Sequence, residues 1–174
     1  MQRQQLLVFV GMALAVAVLL ALGTVPEIAH SFAPPRGDDE AARLAYVARW
    51  LFVPGLCLLA GIGATANRRF FSDAIDGTRT PPSRSLEINL RYNQNTLEQA
   101  VLAAIAWAGL ALSVAHDRLG LIGVLAVLFA IGRALFWSGY LIAPWARAFG
   151  FALTFYPTVV AFGYLALRAL GVRA

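Results

Sequence analysis

RYNQNTLEQAVLAAIAW, residues 91–107, begins with an arginine, amides and a glutamate and continues as a run apolar enough to enter a membrane. Hydrocarbon excludes such groups unless a partner or a ligand uses them, so this stretch carries both the fold class and the functional question. The rest of the chain agrees with a membrane setting. Of its 174 residues 60% are hydrophobic and only 13% charged, where a soluble domain carries about a quarter charged residues.

Hydropathy predicts five apolar segments, at Leu6–Leu22, Leu44–Ala66, Thr96–Ala115, Leu119–Ala143 and Phe149–Leu170. Each has the roughly 17–25 residues that a spanning helix needs. The sequence therefore predicts an all-α membrane protein: an antiparallel four-helix transmembrane bundle preceded by one extra N-terminal hydrophobic helix. Residues 1–40 form that helix and an outside loop, and residues 41–174 form the bundle. The first segment reads as a retained signal anchor, although Ala21 and Gly23 also suit a cleavage site.

All fourteen basic residues are arginine. Five of them, Arg68, Arg69, Arg79, Arg84 and Arg91, lie between the second and third apolar segments, whereas the connection from Thr24 to Arg43 is mostly acidic. The positive-inside rule places the basic connection in the cytoplasm and the acidic one outside. No basic tract suits nucleic acid. Cys57 is a lone packing residue, and His30 and His116 lack ligand spacing, so no metal site is expected.

At about 100° per residue, Glu87, Arg91, Asn95 and Glu98 fall within about 80° of arc on one helix face. Arg133, Tyr140 and Arg147 recur every seven residues near the end of the next helix, so both stripes lie at the cytoplasmic end. A Glu98–Arg133 ion pair would explain two of these residues as helix glue. It leaves Arg91, Asn95, Tyr140 and Arg147 unexplained, and surplus guanidinium forks beside amide and hydroxyl groups suit an anionic, peptide-like ligand.

These residues resemble a known family. RYNQNTLEQ is similar to the R-x-x-x-N-x-x-E motif of the MAPEG superfamily, the membrane-associated proteins in eicosanoid and glutathione metabolism; here the motif is Arg91, Asn95 and Glu98. GRALFWSGYLIAPWAR resembles the family's A-R-x-x-Y-x-x-x-Y motif and its following arginine, with Arg133, Tyr140 and Arg147. The likeness covers about residues 44–170 and reads as a bacterial-type member, which would sit in the inner membrane.

The resemblance implies a homotrimer binding glutathione between subunits near the cytoplasmic side. Arg91, Asn95, Glu98 and Tyr140 would hold the tripeptide, Arg68 or Arg69 would reach a carboxylate from a neighbouring subunit, and Arg133 would support the site. Arg147 would stabilise the thiolate as the catalytic residue, and the co-substrate would be an apolar or lipid-like electrophile. Two positions depart from the pattern. Phe136 stands where many members have tyrosine, and Gln99 where some carry an aromatic residue or Asn. The expectation is a glutathione-dependent transferase or peroxidase. The alternatives are a non-catalytic protein that binds a thiol or lipid, and a structural helix-bundle partner.

Overall fold

The computed structural model describes residues 2–24, 27–72, 75–77 and 83–172; Arg79 of the basic connection lies outside them. The described residues contain helices and no strand: α1 (Gln2–Gly23), α2 (Glu27–His30), α3 (Glu40–Trp50), α4 (Phe52–Phe70), α5 (Arg84–Ser113), α6 (Leu121–Ile142) and α7 (Arg147–Ala169), with a 3₁₀ turn at His116–Arg118. Five stretches among them are long and apolar enough to cross a membrane: α1, α3 with α4, α5, the turn with α6, and α7.

Local chemistry sets the ends. Asp39 caps α3 by accepting from the Ala42 N–H at 2.7 Å, and Glu40 adds favourable charge to the first turn. The second predicted span is two helices in line, joined at Leu51. Pro54 lacks the N–H that would bond the Trp50 carbonyl, so the ladder is interrupted there.

The third span starts earlier than its apolar run. Ser83 accepts from the Leu86 N–H and starts α5 at Arg84, giving a helix of 30 residues. At 1.5 Å per residue that is roughly 45 Å, well beyond a hydrocarbon core of about 30 Å. The polar residues 84–95 are therefore helical, where the hydropathy pattern places the run's start at Thr96.

The main core gathers around α5. Ala103, Ala106, Trp107, Leu110 and Ala111 pack against Tyr46 and Val47 of α3, Ile122, Ala126 and Phe129 of α6, and Ala161 of α7. Glycines permit the closest approaches. A Cβ on Gly61 of α4 would overlap the Tyr92 ring and Asn93 Oδ1 of α5, and one on Gly150 of α7 would overlap the Phe136 N–H and Gly132 carbonyl of α6.

α1 is packed onto α7. Ala15 is buried beside Ala152 and Leu153, and Gly11 lies against the Phe149 backbone. The connection that follows is anchored too, since Phe32 packs edge-on to Trp50 at 5.3 Å and covers Gly123.

Candidate functional site

The two motifs converge where the N-terminal half of α5, the C-terminal half of α6 and the start of α7 meet. Arg133 is fully buried. Its Nη1 donates to Asn95 Oδ1 at 2.7 Å and its Nη2 to Thr154 Oγ1 at 2.6 Å. The guanidinium carbon lies 4.7 Å from the centre of the Phe136 ring. These neutral groups spread and solvate the charge, and no carboxylate among the described residues pairs with it. The Glu98–Arg133 ion pair is not formed. Glu98 is exposed, and its Oε1 accepts from Gln94 Nε2 at 2.8 Å, one turn away. The reason is helical geometry: Asn95, three residues earlier, occupies the arc facing α6, and Glu98 points outward.

Arg91 is also on the outer face. It pairs with Glu87 at 3.0 Å, both side chains being more than half exposed. Tyr140 lies within electrostatic reach of Arg91, and its ring carries the Arg147 guanidinium 4.4 Å above its centre. Phe136 meets Tyr140 edge-on at 5.8 Å. Arg147 opens α7, where the helix dipole disfavours a cation, and it makes no ion pair among the described residues. An anion bound there would gain from both the guanidinium and the helix end.

The structure thus brings together five of the eight candidate residues, Arg133 with Asn95 and Tyr140 with Arg147 and, in electrostatic reach, Arg91, while Glu98 meets only Gln94. Arg68 and Arg69 make no hydrogen bond or ion pair with them. Arg68 donates to Ser85 Oγ at 2.8 Å, and Arg69 lies beside Gly77.

A second polar row on α5 is absent from the motif. Asn89, Thr96 and Gln99 are buried, with Tyr92 and Asn93 on the same side. Trp137 Nε1 donates to Asn89 Oδ1 at 3.0 Å and stacks on Tyr92 at 4.6 Å, so it is an internal strut as well as an aromatic near a helix end. Asn93 Nδ2 donates to Thr65 Oγ1 at 2.9 Å, and Tyr92 Oη to the Cys57 carbonyl at 3.1 Å. Steps of four and three, from 89 to 93 to 96 to 99, carry the same helical signal as the motif, on the neighbouring arc.

Five apolar spans, four of which enclose a buried guanidinium and a row of amides, define an integral membrane protein with a polar interior at one end. The chain belongs to the MAPEG family, whose model matches residues 6–167. That match starts inside α1, upstream of the motif-bearing region. The chain is similar to Transmembrane protein 79 of Mus musculus, 29% identical over 161 residues, covering 84% of this chain and 38% of the relative. It is 33% identical over 76 residues to Transmembrane protein 79 of Bos taurus, covering 44% of this chain and 19% of that one. The chain therefore spans less than two fifths of the length of either relative. Both relatives are mammalian, and a bacterial-type assignment draws no support from them. No solved structure matches the chain significantly.

Proposed function

We propose that this protein uses glutathione, or a thiol of similar charge, against an apolar electrophile, as a transferase or peroxidase. The observation behind this reading is Arg147: a guanidinium without an ion pair among the described residues, held over the Tyr140 ring at the start of α7. A thiol with a pKa of about 8.5 is mostly protonated at neutral pH, and an adjacent guanidinium favours the thiolate. Each unit of depression corresponds to about 1.36 kcal/mol. In conjugation the thiol proton leaves to solvent, the thiolate forms a C–S bond, and the electrophile releases its leaving group with the bonding pair.

Asn95 and Tyr140 hold the tripeptide in this reading, Arg91 and Arg68 or Arg69 meet its carboxylates, and Glu98 meets its ammonium group. Arg133 fixes Asn95. The four later spans act as the family's antiparallel bundle, with the site toward the cytoplasm and α1 added outside it.

The reading also calls for a neighbour. Glu98 lies on an outward face of α5 beside the exposed apolar side chains of Leu97, Val101 and Ile105. Near the end of a span a carboxylate facing lipid costs less than the roughly 2.5–3.5 kcal/mol of the centre, and an adjoining copy in a homotrimer, carrying Arg68 or Arg69, offers it a partner.

A non-catalytic thiol- or lipid-binding role is the second reading, and Phe136 favours it. The ring sits against Arg133 and supplies no hydroxyl to a thiol or substrate. The two readings separate in one experiment: ultraviolet difference absorbance at the thiolate band, on the detergent-solubilised protein titrated with glutathione, with Arg147→Ala alongside. A saturable signal lost in the variant supports thiolate activation. Calorimetric binding of glutathione with no thiolate signal supports the second reading, and neither signal from folded protein removes glutathione from both, leaving lipid binding.

A further inference from the structure

The other end of the molecule holds a cleft of about 500 Å³, between the Ala33–Gly37 stretch and one face of α3. Ala42, Ala45, Tyr46 and Arg49 form that face, at the spacing of one helical stripe. The walls are mostly alanine, proline and the Tyr46 ring, with cations at two positions, Arg36 and Arg49. Both arginines are exposed, and neither makes a hydrogen bond or ion pair among the described residues.

Of the acids that follow the stretch, Glu40 opens the first turn of α3, and the other two are bonded elsewhere. Asp38 is bonded to Arg43 and His116, and Asp39 caps α3. The charged side chains that line the cleft itself are both arginines, over an apolar floor.

Its place in the fold narrows the occupant. Arg43 of α3 meets the Ala111 and Val114 carbonyls at the end of α5, which marks the polar boundary of the spans. Arg49 lies about 9 Å further along the helix, toward the apolar interior. Below it the same face continues as Phe52, Leu56 and Leu59, which are 62%, 57% and 64% exposed. Two unpaired guanidinium groups above a continuous apolar track match the two parts of a phospholipid.

We propose that this cleft binds an anionic phospholipid, its phosphate held by Arg36 and Arg49 and an acyl chain lying along Ala45, Phe52 and Leu56. Guanidinium forks suit phosphate oxygens, and the track explains why a lipid is favoured over a free anion.

The test is binding of dioleoyl phosphatidylglycerol to the purified full chain in a neutral detergent, read by native mass spectrometry, with dioleoyl phosphatidylcholine and inorganic phosphate in parallel. Saturable retention of phosphatidylglycerol is expected, at least tenfold stronger than that of phosphatidylcholine. The Arg36→Gln, Arg49→Gln double variant loses at least tenfold in affinity. Ala45→Trp, at an exposed position, blocks the cleft to the same extent, while Arg118→Gln at the same end of the molecule changes nothing. Equal retention of both lipids, or unaltered binding in the double variant at preserved helicity, overturns the proposal. So does displacement of the lipid by inorganic phosphate at an equal concentration, which would make the cleft a free-anion site.

Discussion

Arg133 and Asn95 are joined across α6 and α5 by a hydrogen bond of 2.7 Å, in which the guanidinium Nη1 donates to the amide Oδ1. A fully buried cation is thus held by an amide, a hydroxyl and an aromatic face in place of a carboxylate. Asn95→Leu removes one acceptor and leaves the donor enclosed, a loss of about 1–3 kcal/mol. Thermal unfolding in detergent should show it as a lower midpoint. Asn95→Asp, which restores an acceptor and adds a countercharge, should keep the midpoint near that of the parent protein.

Glu98 gives the opposite expectation. Among the described residues its only hydrogen bond is from Gln94, so Glu98→Gln should alter the stability of the isolated chain by no more than about 0.5 kcal/mol. Under the proposed function it should still weaken glutathione at least tenfold, because the ligand's ammonium group loses its carboxylate. Calorimetry beside a melt separates the two effects. A large fall in the midpoint with unchanged binding would make Glu98 structural.

Gly61 sets the distance between α4 and α5. Gly61→Val pushes a branched side chain into Tyr92 and Asn93, with an overpacking cost of about 1–3 kcal/mol. Gly63→Val, where the added carbon meets open space, is the matched control and should melt close to the parent. Equal melting of the two variants would mean that the helices separate freely.

The 33–39 loop at the opposite end, a strap tied to α3 through Asp38 and Arg43, responds to pH. The hydrogen bond from Arg43, aided by His116, holds the Asp38 carboxyl below its ordinary range. A depressed folded-state pKa contributes stability above the unfolded value of about 3.9, lost as pH falls through the folded value. The strap should therefore stay closed across neutral pH and open only in strong acid. Hydrogen exchange in the 33–39 loop, followed against pH, should show this. Arg43→Gln should move the opening to higher pH and also expose the Ala111 and Val114 carbonyls that the guanidinium now occupies.

The spans were legible because hydropathy records composition and little else. Each of the five apolar runs coincides with a helix or helix pair, overshooting its ends by at most two residues. What hydropathy misses is a polar helix whose polar side faces inward. Residues 84–95 of α5 are such a case, since Asn89 and Asn93 spend their amides on Trp137 and Thr65.

The motif positions were equally readable, but their partners were not. Helical angles place Asn95 and Glu98 about 60° apart, too close for a wheel alone to say which one meets α6. That choice depends on how α6 is rotated, and Gly132 and Gly150 fix the rotation by letting α6 and α7 touch. Thr154, the other side-chain partner of Arg133, had no signal in the sequence: it is one small hydroxyl in an apolar run.

The order of synthesis gives the Arg133–Thr154 bond a further meaning. When α6 leaves the ribosome, Asn95 has already been made and Thr154 has not. The translocating α6 therefore carries a guanidinium with one of its two side-chain acceptors still to come. The second acceptor arrives only with α7, so the α6–α7 hairpin, and not α6 alone, is the unit that settles in the bilayer.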